Sequence, residues 1–202
     1  MRSKKGAGGA KCVLLDRDKT VLMPIGDRYI HRVGDYRIPR GYTESLLDIQ
    51  NAGYLLFIVT NQGRVAKGFM SENDVKEVHA EMDAFFRKRG VRFSSIHYCP
   101  HNPDGTVAPY NVPCPCRKPG TGMIEKIVRE HGIDPKTSWM AGDSEKDVIA
   151  GVRSGFSTIR LSHGTVVGTR ADFIEKDIRG AARRILETDL PSPRGFEPLL
   201  PP

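Results

Sequence analysis

The sequence predicts an α/β protein built on a Rossmann-like, doubly wound parallel sheet. Segments with the apolar character of buried strands alternate along the chain with segments of helical spacing, and this alternation is typical of that fold class. The strongest strand segment, from Tyr54 to Thr60, is uninterrupted by charge, as expected for a parallel strand covered on both faces. The length of 202 residues suits one domain with a full hydrophobic core.

The predicted strands and helices follow one another in chain order. Residues 11–16 form a short apolar run that ends in an acid, and residues 42–52 have helical spacing that stops at Gly53. After the strand at 54–60, residues 71–89 are predicted to form a long helix that begins near Ser71 and turns an apolar stripe toward the core. The remaining predicted strands cover residues 96–98, 137–141 and 156–161, and the remaining predicted helices cover residues 122–130, 145–153 and 177–186.

The two ends of the chain are predicted to lie outside this domain, which we place at residues 11–190. Residues 1–10 are rich in glycine and carry basic side chains without an acid, so we expect a flexible basic tail. Residues 191–202 are rich in proline, and we expect them to be disordered.

Composition and charge narrow the classes of function. The net charge is +7, but its excess outside the tail is scattered and lacks interleaved aromatic residues, so nucleic acid is not the expected partner. No apolar run approaches the roughly 20 residues that cross a bilayer, and the first run is too short for the core of a signal peptide. We therefore expect a cytoplasmic protein without a membrane partner, in which thiols stay reduced. We also expect a monomer.

Four polar clusters lie at the ends of predicted strands or at the start of a predicted helix. Asp16 and Asp18 follow the first strand, and Thr60 closes the strongest one. Lys118 precedes the helix at 122–130, and Asp143 follows the strand at 137–141. Because parallel sheets bind ligands at the carboxyl ends of their strands, we expect these side chains to meet at one edge.

The residue types in these clusters suit phosphoryl transfer. Asp16 and Asp18 are two residues apart and face the same way in extended backbone, and together with Asp143 they offer the oxygen ligands that Mg²⁺ prefers. A carboxylate such as Asp16 can attack phosphorus, and Asp18 can protonate the leaving oxygen and later activate water. Thr60 and Lys118 can contact the transferring phosphoryl oxygens.

With these motifs in order, the chain resembles the haloacid dehalogenase superfamily of aspartate-dependent phosphatases. DRDKT resembles its first motif, VTNQ the second, CRKPGTGM the third and GDSEKD the fourth. The resemblance implies that Asp16 is the nucleophile, Asp18 the general acid and base, and Asp143 a metal ligand. Asp147 matches the last acid of the fourth motif and is expected to support the site rather than bind the metal.

The resemblance is narrower in the cysteine-containing segment CPH…CPCRKPGTGM. There the chain resembles the subfamily of D-glycero-D-manno-heptose 1,7-bisphosphate phosphatases and histidinol-phosphate phosphatases, over about residues 11–161. This subfamily lacks a large cap domain. The resemblance implies that Lys118 contacts the phosphate that is cleaved, and it makes Asn61, Arg64, Lys67 and Arg117 candidates for the rest of the substrate.

Two residues depart from the subfamily pattern. Lys19 stands where the family usually has glycine, so it either adopts a turn that favours glycine or adds a cation at the mouth of the site. Ser144 stands where close relatives tend to have lysine, and a basic group elsewhere could replace it. Both changes are expected to affect substrate fit more than the central chemistry.

Three of the four cysteines lie in the loop at 99–116. Cys99 and His101 form one pair and Cys114 and Cys116 form another, and three thiolates with one imidazole complete a tetrahedral set for Zn²⁺. Such a set leaves no open position, so we interpret the zinc as structural and expect it to hold the loop that carries Arg117 and Lys118. Cys12, alone in a strand, is expected to be a buried apolar residue.

These observations predict a Mg²⁺-dependent phosphatase with an aspartyl-phosphate intermediate and a structural Zn²⁺. The expected substrate is D-glycero-D-manno-heptose 1,7-bisphosphate, cleaved at the 7-phosphate. Histidinol phosphate remains an alternative within the enzymes, and a zinc-stabilised protein that binds nucleic acid remains the alternative from another class.

Overall fold

The structure is a computed structural model that describes residues 9–26, 29–162 and 164–189. Its strands are β1 (Cys12–Leu15), β2 (Met23–Pro24), β3 (Tyr36–Arg37), β4 (Leu55–Asn61), β5 (Phe93–Cys99), β6 (Trp139–Gly142), β7 (Ser157–Leu161) and β8 (Phe173–Glu175). Its helices are α1 (Tyr42–Asn51), α2 (Glu72–Arg87), α3 (Gly122–His131), α4 (Glu145–Arg153) and α5 (Ile178–Asp189), with a 3₁₀ turn at Pro135–Thr137.

A parallel sheet with the strand order β5-β4-β1-β6-β7-β8 forms the centre of the described part of the chain. β1 pairs with β4 on one side and with β6 on the other, so that Val13 lies opposite both Leu56 and Trp139. The three segments that follow β1, β4 and β6 therefore leave the sheet side by side at its carboxyl edge, which places their polar residues near one another.

Helices cover both faces of this sheet. Alternate residues of β1 belong to different cores: Val13 and Leu15 pack with α1, α2 and α5, whereas Cys12 and Leu14 pack with α3. Cys12 is completely buried, as predicted. The doubly wound α/β class is confirmed, and the predicted order of strands and helices is confirmed with it.

The sequence patterns missed the shortest strands. β2 and β3 are two residues long each and pair in antiparallel orientation after β1. β8 adds a three-residue strand at the edge of the sheet beyond β7. β5 begins three residues earlier than predicted. Strands of two or three residues are too short to show a period, and β5 alternates poorly because most of its interior is only partly buried.

The predicted tails lie almost entirely outside the described residues. This applies to residues 1–8 of the basic tail and to the whole Pro-rich segment at 191–202. Ala10 is described, and its backbone exchanges hydrogen bonds with Gly132 and Asp134 after α3, so this residue of the predicted tail is bound to the domain. None of the helices described is both long and apolar enough to cross a membrane.

Candidate active site

Asp16 lies at the carboxyl end of β1, in the middle of the sheet. Its backbone N–H donates to the carbonyl of Ala141 at 3.0 Å, which continues the ladder between β1 and β6 by one residue. The chain then turns at once, because the N–H groups of Val21 and Leu22 both donate to the carbonyl of Arg17. The side chain of Asp16 is therefore held at the strand end with only 7% of the residue exposed.

Lys118 reaches this carboxylate from the loop before α3. Its Nζ donates to Asp16 Oδ1 at 2.9 Å and to the carbonyl of Val59, and it lies 2.6 Å from Asp147 Oδ1. The side chain is 2% exposed. Lys118 is thus a buried cation shared between two buried carboxylates.

Asn61 fixes the backbone of Lys118. Its side-chain Nδ2 donates to the carbonyl of Lys118, and the N–H of Lys118 donates to Asn61 Oδ1, each at 2.9 Å. Both polar atoms of the Asn61 amide bond protein backbone, and its role in substrate binding stays a prediction. Asn61 lines the cavity described below, but its contacts make it a residue that positions Lys118.

Asp143 and Asp147 bring two more carboxylates to Asp16. One oxygen of each of the three residues lies within 4.8 Å of the others. Asp147 stands in the first turn of α4, where its Oδ2 accepts from the N–H of Ser144 at 2.9 Å. A Cβ atom on Gly142 would collide with the Asp147 carboxylate, so the glycine before Asp143 is required for this close approach.

The electrostatics of this cluster are dominated by burial and crowding. Burial raises the pKa of Asp16 to about 7, and the carboxylates of Asp147, Asp18 and Asp143 raise it too, while Lys118 lowers it. Burial also opposes the charge on Lys118, but the carboxylates of Asp147 and Asp16 outweigh it and raise its pKa above the usual value. The cluster has more carboxylates than buried cations, and an additional cation would relieve that imbalance.

The side chain of Asp18 lies outside this group, and its predicted role as a metal ligand stays a prediction. Its Oδ1 accepts from Arg17 Nε at 2.7 Å, and its Oδ2 accepts from Arg17 Nη2 at 3.1 Å and from Gln62 Nε2 at 3.2 Å. The carboxylates that the structure groups are therefore Asp16, Asp143 and Asp147 rather than Asp16, Asp18 and Asp143. Arg17 orients the second aspartate of the motif beside the first.

Arg17, Gln62 and His79 are site residues that the sequence analysis missed. Arg17 is completely buried, and its guanidinium also donates to Gln62 Oε1 at 2.9 Å and lies 3.0 Å from His79 Nε2 on α2. Burial and the charge of Arg17 lower the pKa of His79 to about 3, so the imidazole is neutral and accepts from the guanidinium. Gln62 also donates to Thr60 Oγ1 at 2.9 Å, which holds the hydroxyl of this predicted site residue in place.

A cavity of about 360 Å³ opens above these groups. Its charged lining residues are Asp16, Asp18 and Asp143 together with Lys19, Arg64, Lys67, Arg117 and Lys146. The candidate substrate residues Arg64, Lys67 and Arg117 thus all line it. Lys146, in the first turn of α4, was not predicted; it lies two residues after Ser144 and supplies a basic group near the position where relatives tend to have lysine.

Lys19 both adopts the tight turn that favours glycine and adds a cation at the mouth of the cavity, the two consequences predicted for it. It is exposed and lines the cavity, and its φ of 59° makes it the one non-glycine with positive φ in the described part of the chain. Its N–H donates to the carbonyl of Leu22 at 2.7 Å, so the tight turn forms despite the side chain. A lysine in this backbone region is strained, since its Cβ approaches the following carbonyl.

We expect Lys19→Gly to stabilise the protein. Removing the left-handed strain favours the folded state by about 1 kcal/mol, partly offset by the greater freedom of glycine in the unfolded chain. Urea unfolding of the two proteins measures this difference. Lys19→Ala is the matched control, because it removes the same charge but keeps the Cβ, and it should not gain stability. A Lys19→Gly protein no more stable than Lys19→Ala would show that the turn is not strained.

The cysteine loop brings three of its four predicted ligands together. Cys99 ends β5, its Sγ lies 3.6 Å from His101 Nδ1, and one ligand atom each of Cys99, His101 and Cys114 lies within 4.8 Å of the others. Cys116 interacts with Cys114 and points toward Gly122, where a Cβ atom would lie 3.1 Å from its Sγ. Arg117 follows directly, and its Nη1 donates to the carbonyl of His101 at 3.0 Å, which joins this loop to the cavity wall.

Comparison with known proteins shows relatives over most of the chain. A family model described as HAD-hydrolase-like matches residues 115–184, which include Lys118 and Asp143. The D-glycero-beta-D-manno-heptose-1,7-bisphosphate 7-phosphatase of Haemophilus ducreyi is 38% identical over 151 residues, which are 74% of this chain and 81% of the relative. The chain belongs to this phosphatase family. A member from Pasteurella multocida is 36% identical over 183 residues, or 90% of this chain and 95% of that one.

A solved structure of the family has the same fold. The D,D-heptose 1,7-bisphosphate phosphatase from B. bronchiseptica, complexed with magnesium and phosphate, superposes with a TM-score of 0.73 at 24% identity. The superposition covers 88% of this chain and 99% of that one. The predicted superfamily and subfamily are thereby confirmed, and family membership favours an enzyme over the nucleic-acid-binding alternative.

Proposed function

We propose that this protein is a Mg²⁺-dependent phosphatase that releases the 7-phosphate of D-glycero-D-manno-heptose 1,7-bisphosphate. The observation that carries the proposal is the pairing of Asp16 with Lys118 at the centre of the carboxyl edge, beneath a cavity with five basic lining residues. A carboxylate held beside a fixed ammonium group, under a cationic cavity, suits attack on a bound phosphate. The names of the relatives supply the substrate.

Asp16 is the proposed nucleophile and Asp18 the proposed acid and base. Asp16 attacks phosphorus, the bond between phosphorus and the sugar oxygen breaks, and Asp18 gives a proton to that oxygen. Asp18 then takes a proton from the water that attacks the phosphorus of the aspartyl phosphate, which releases inorganic phosphate and restores Asp16. Arg17 and Gln62 hold the carboxyl group of Asp18 in position for both transfers.

Lys118 and Thr60 are the proposed contacts of the transferring phosphoryl group. The ammonium group of Lys118 is fixed by Asp147 and by the backbone of Val59, so it needs no rearrangement when charge develops. The hydroxyl of Thr60 accepts from Gln62, which leaves its own hydrogen free to donate. Asp147 thus supports the site through Lys118.

The carboxylates of the cluster fit a magnesium ion. Asp16 and Asp143 offer hard oxygen ligands beside an open cavity, whereas Asp147 is already engaged by Lys118 and by the N–H of Ser144. A Mg²⁺ ion held by Asp16 and Asp143 would offset the negative charge of both the cluster and the substrate phosphate. Water and phosphate oxygens would complete its coordination in the cavity.

The cysteine loop fits a structural zinc ion. Burial raises the pKa of Cys99 to about 12, so binding must displace protons from the thiols, as is usual for zinc sites. The donor set of Cys99, His101, Cys114 and Cys116 leaves no position for a substrate. The zinc ion would hold the segment that places Arg117 on the cavity wall.

We expect Cys114→Ser to lose zinc and stability together. Elemental analysis should fall from one zinc per chain to less than half, and losing about 2–4 kcal/mol should lower the unfolding midpoint by roughly 5–15 °C. Cys12→Ser is the matched control for zinc content, because Cys12 packs in the same core as Cys99 but is not part of the Cys/His group, so the variant should retain the zinc. Equal zinc content in the two variants would contradict the site.

Phosphate release from two substrates tests the proposed reaction. With Mg²⁺ present, we expect turnover of D-glycero-D-manno-heptose 1,7-bisphosphate and none of histidinol phosphate. Turnover of histidinol phosphate alone would keep the chemistry and replace the substrate. Release from neither would overturn the proposed function.

A further inference from the structure

The guanidinium of Arg17 connects helix α2 to the carboxylate of Asp18. Its Nε and Nη2 donate to the two oxygens of Asp18, at 2.7 and 3.1 Å. At its other edge, Nη1 lies 3.0 Å from Nε2 of His79, a buried residue of α2. Because both contacts with Asp18 lie in the plane of the guanidinium, a shift of that plane moves the carboxylate with it.

Burial makes Arg17 depend on protein acceptors. The residue is completely buried and His79 is 7% exposed, so bulk water does not replace a lost contact between them. Gln62 Oε1 accepts from Nη2 at 2.9 Å, which leaves Nη1 to His79. A buried N–H group of a charged side chain is costly to leave without an acceptor. Without His79, we expect the guanidinium to turn toward another acceptor and to pull Asp18 out of place.

His79 is suited to accept this hydrogen bond and to stay in one position. Burial lowers the pKa of the imidazole to about 3, and the charge of Arg17 lowers it further, so Nε2 is free to accept a hydrogen bond. The ring also packs edge-on against that of Tyr98 on β5, with 5.4 Å between the centroids. The hydroxyl of Tyr98 donates to Glu72 Oε1 at 2.9 Å, which fixes that ring in turn.

Asp18 has a freedom that its proposed chemistry does not tolerate. It lines the cavity and its side chain is 32% exposed, so burial alone does not determine its orientation. A group that transfers a proton must be held at hydrogen-bond distance from the reacting atom. His79 is not among the described residues that line the cavity, so it influences the reaction only through its neighbours.

We propose that His79 is a positioning residue that orients Asp18 through Arg17 for proton transfer to the leaving sugar oxygen. This inference rests on the proposed function. In that step the bond between phosphorus and the sugar oxygen breaks and the proton of Asp18 passes to that oxygen. His79 exchanges no proton and touches no reacting atom. The same orientation serves Asp18 when it takes a proton from the attacking water.

Two substrates with different leaving groups test this role. A sugar oxygen must be protonated as it leaves, whereas the p-nitrophenolate of p-nitrophenyl phosphate leaves without a proton. The ratio kcat/KM reports the steps up to the departure of the leaving group, before the aspartyl phosphate is hydrolysed. We expect His79→Leu to lower kcat/KM for the heptose bisphosphate about 10- to 50-fold, which is part of the usual effect of a general acid, and that for p-nitrophenyl phosphate less than about 2-fold.

A conservative variant tests whether the acceptor is the cause. His79→Gln supplies an amide oxygen that can accept from Arg17, so its kcat/KM for the heptose bisphosphate should return to within about 3-fold of the wild type. His79→Met, another variant without a strong acceptor, replaces His79→Leu if the leucine protein does not fold.

His97→Leu is the matched control. His97 is also a partly buried histidine with a hydrogen bond, at 2.8 Å to Ser95 Oγ. It lies on β5 near the charged side chains of Lys126 and Glu130 on α3 and is not among the described residues that line the cavity. Its kcat/KM should equal that of the wild type for both substrates.

The outcomes separate the role of His79 from the proposed function. Equal losses of kcat/KM for the two substrates in His79→Leu would show a general structural defect and overturn the positioning role. Unchanged kcat/KM for the heptose bisphosphate, or a glutamine variant as slow as the leucine variant, would overturn it too, while the phosphatase activity stands. No release by the wild-type protein from the heptose bisphosphate would overturn the proposed function and the role of His79 with it.

Discussion

Replacing Asp16 with asparagine is expected to abolish phosphate release from the heptose bisphosphate, by about 10³-fold or more in kcat. An amide of nearly the same shape cannot act as an anionic nucleophile, so no aspartyl phosphate can form. The measurement is phosphate release with Mg²⁺ at saturating substrate. The effect should appear in kcat, because the cavity and its basic residues remain in place.

The stability of the same variant separates a chemical defect from a folding defect. Burial and three neighbouring carboxylates hold the pKa of Asp16 near 7, which means that its charge is unfavourable in the fold without a metal. Asp16→Asn should therefore unfold at the same temperature as the wild type or slightly above it. Asp83→Asn, which removes the charge of the partner of exposed Arg87 on α2, is the control and should keep full activity. Retention of a tenth of the activity by Asp16→Asn would contradict the assigned nucleophile.

Replacing Lys118 with methionine is expected to cause both a large loss of stability and a large loss of activity. Methionine has a similar length but leaves Asp16 and Asp147 buried without their shared cation, and breaking a buried pair in this way costs about 3–5 kcal/mol. Losing a fixed charge that contacts the transferring phosphoryl group should lower kcat by roughly 10²–10³-fold. Urea unfolding and phosphate release measure the two effects.

A second substitution tests the reason for the instability. The double variant Lys118→Met with Asp147→Asn removes one of the uncompensated charges, so it should recover part of the lost stability and none of the activity. Lys126→Met on α3 is the matched control, since Lys126 is exposed and should tolerate the change with less than about 0.5 kcal/mol. If Lys118→Met and Lys126→Met were equally stable, the ion pairs of Lys118 with Asp16 and Asp147 would make no net contribution to the free energy of unfolding.

Much of the site could be predicted because it depends on the ends of strands. Asp16, Thr60 and Asp143 each stand at or just after the carboxyl end of a strand that the sequence patterns located. In a parallel sheet those ends share one edge, so identifying β1, β4 and β6 was enough to bring the three residues together. Lys118 was predicted from its motif, and the structure places its ammonium group on Asp16.

The partners of the polar side chains could not be predicted in the same way. In an extended strand, alternate side chains face opposite ways, so the sequence predicts only that Arg17 faces away from Asp16 and Asp18. In the fold, Arg17 is completely buried, contacts His79 of α2 and donates hydrogen bonds to Asp18. Asn61 follows β4 as expected, but its amide pairs with the backbone of Lys118, 57 residues farther along the chain. Such pairings join distant segments, and local spacing contains no information about them.

The sequence by itself determined the doubly wound class, the carboxyl edge that holds the site and the residue types that suit phosphoryl transfer. These follow from short-range regularities, namely apolar periods, strand ends and motif spacing. Only the tertiary structure decided that the side-chain carboxylates of Asp16, Asp143 and Asp147 form one group, that the Asn61 amide holds the backbone of Lys118, and that the Arg64 guanidinium lies over the rings of Tyr29 and Phe69. The reason is physical: burial, charge crowding and ring stacking arise between segments brought together by folding, and each depends on distances that no local pattern sets.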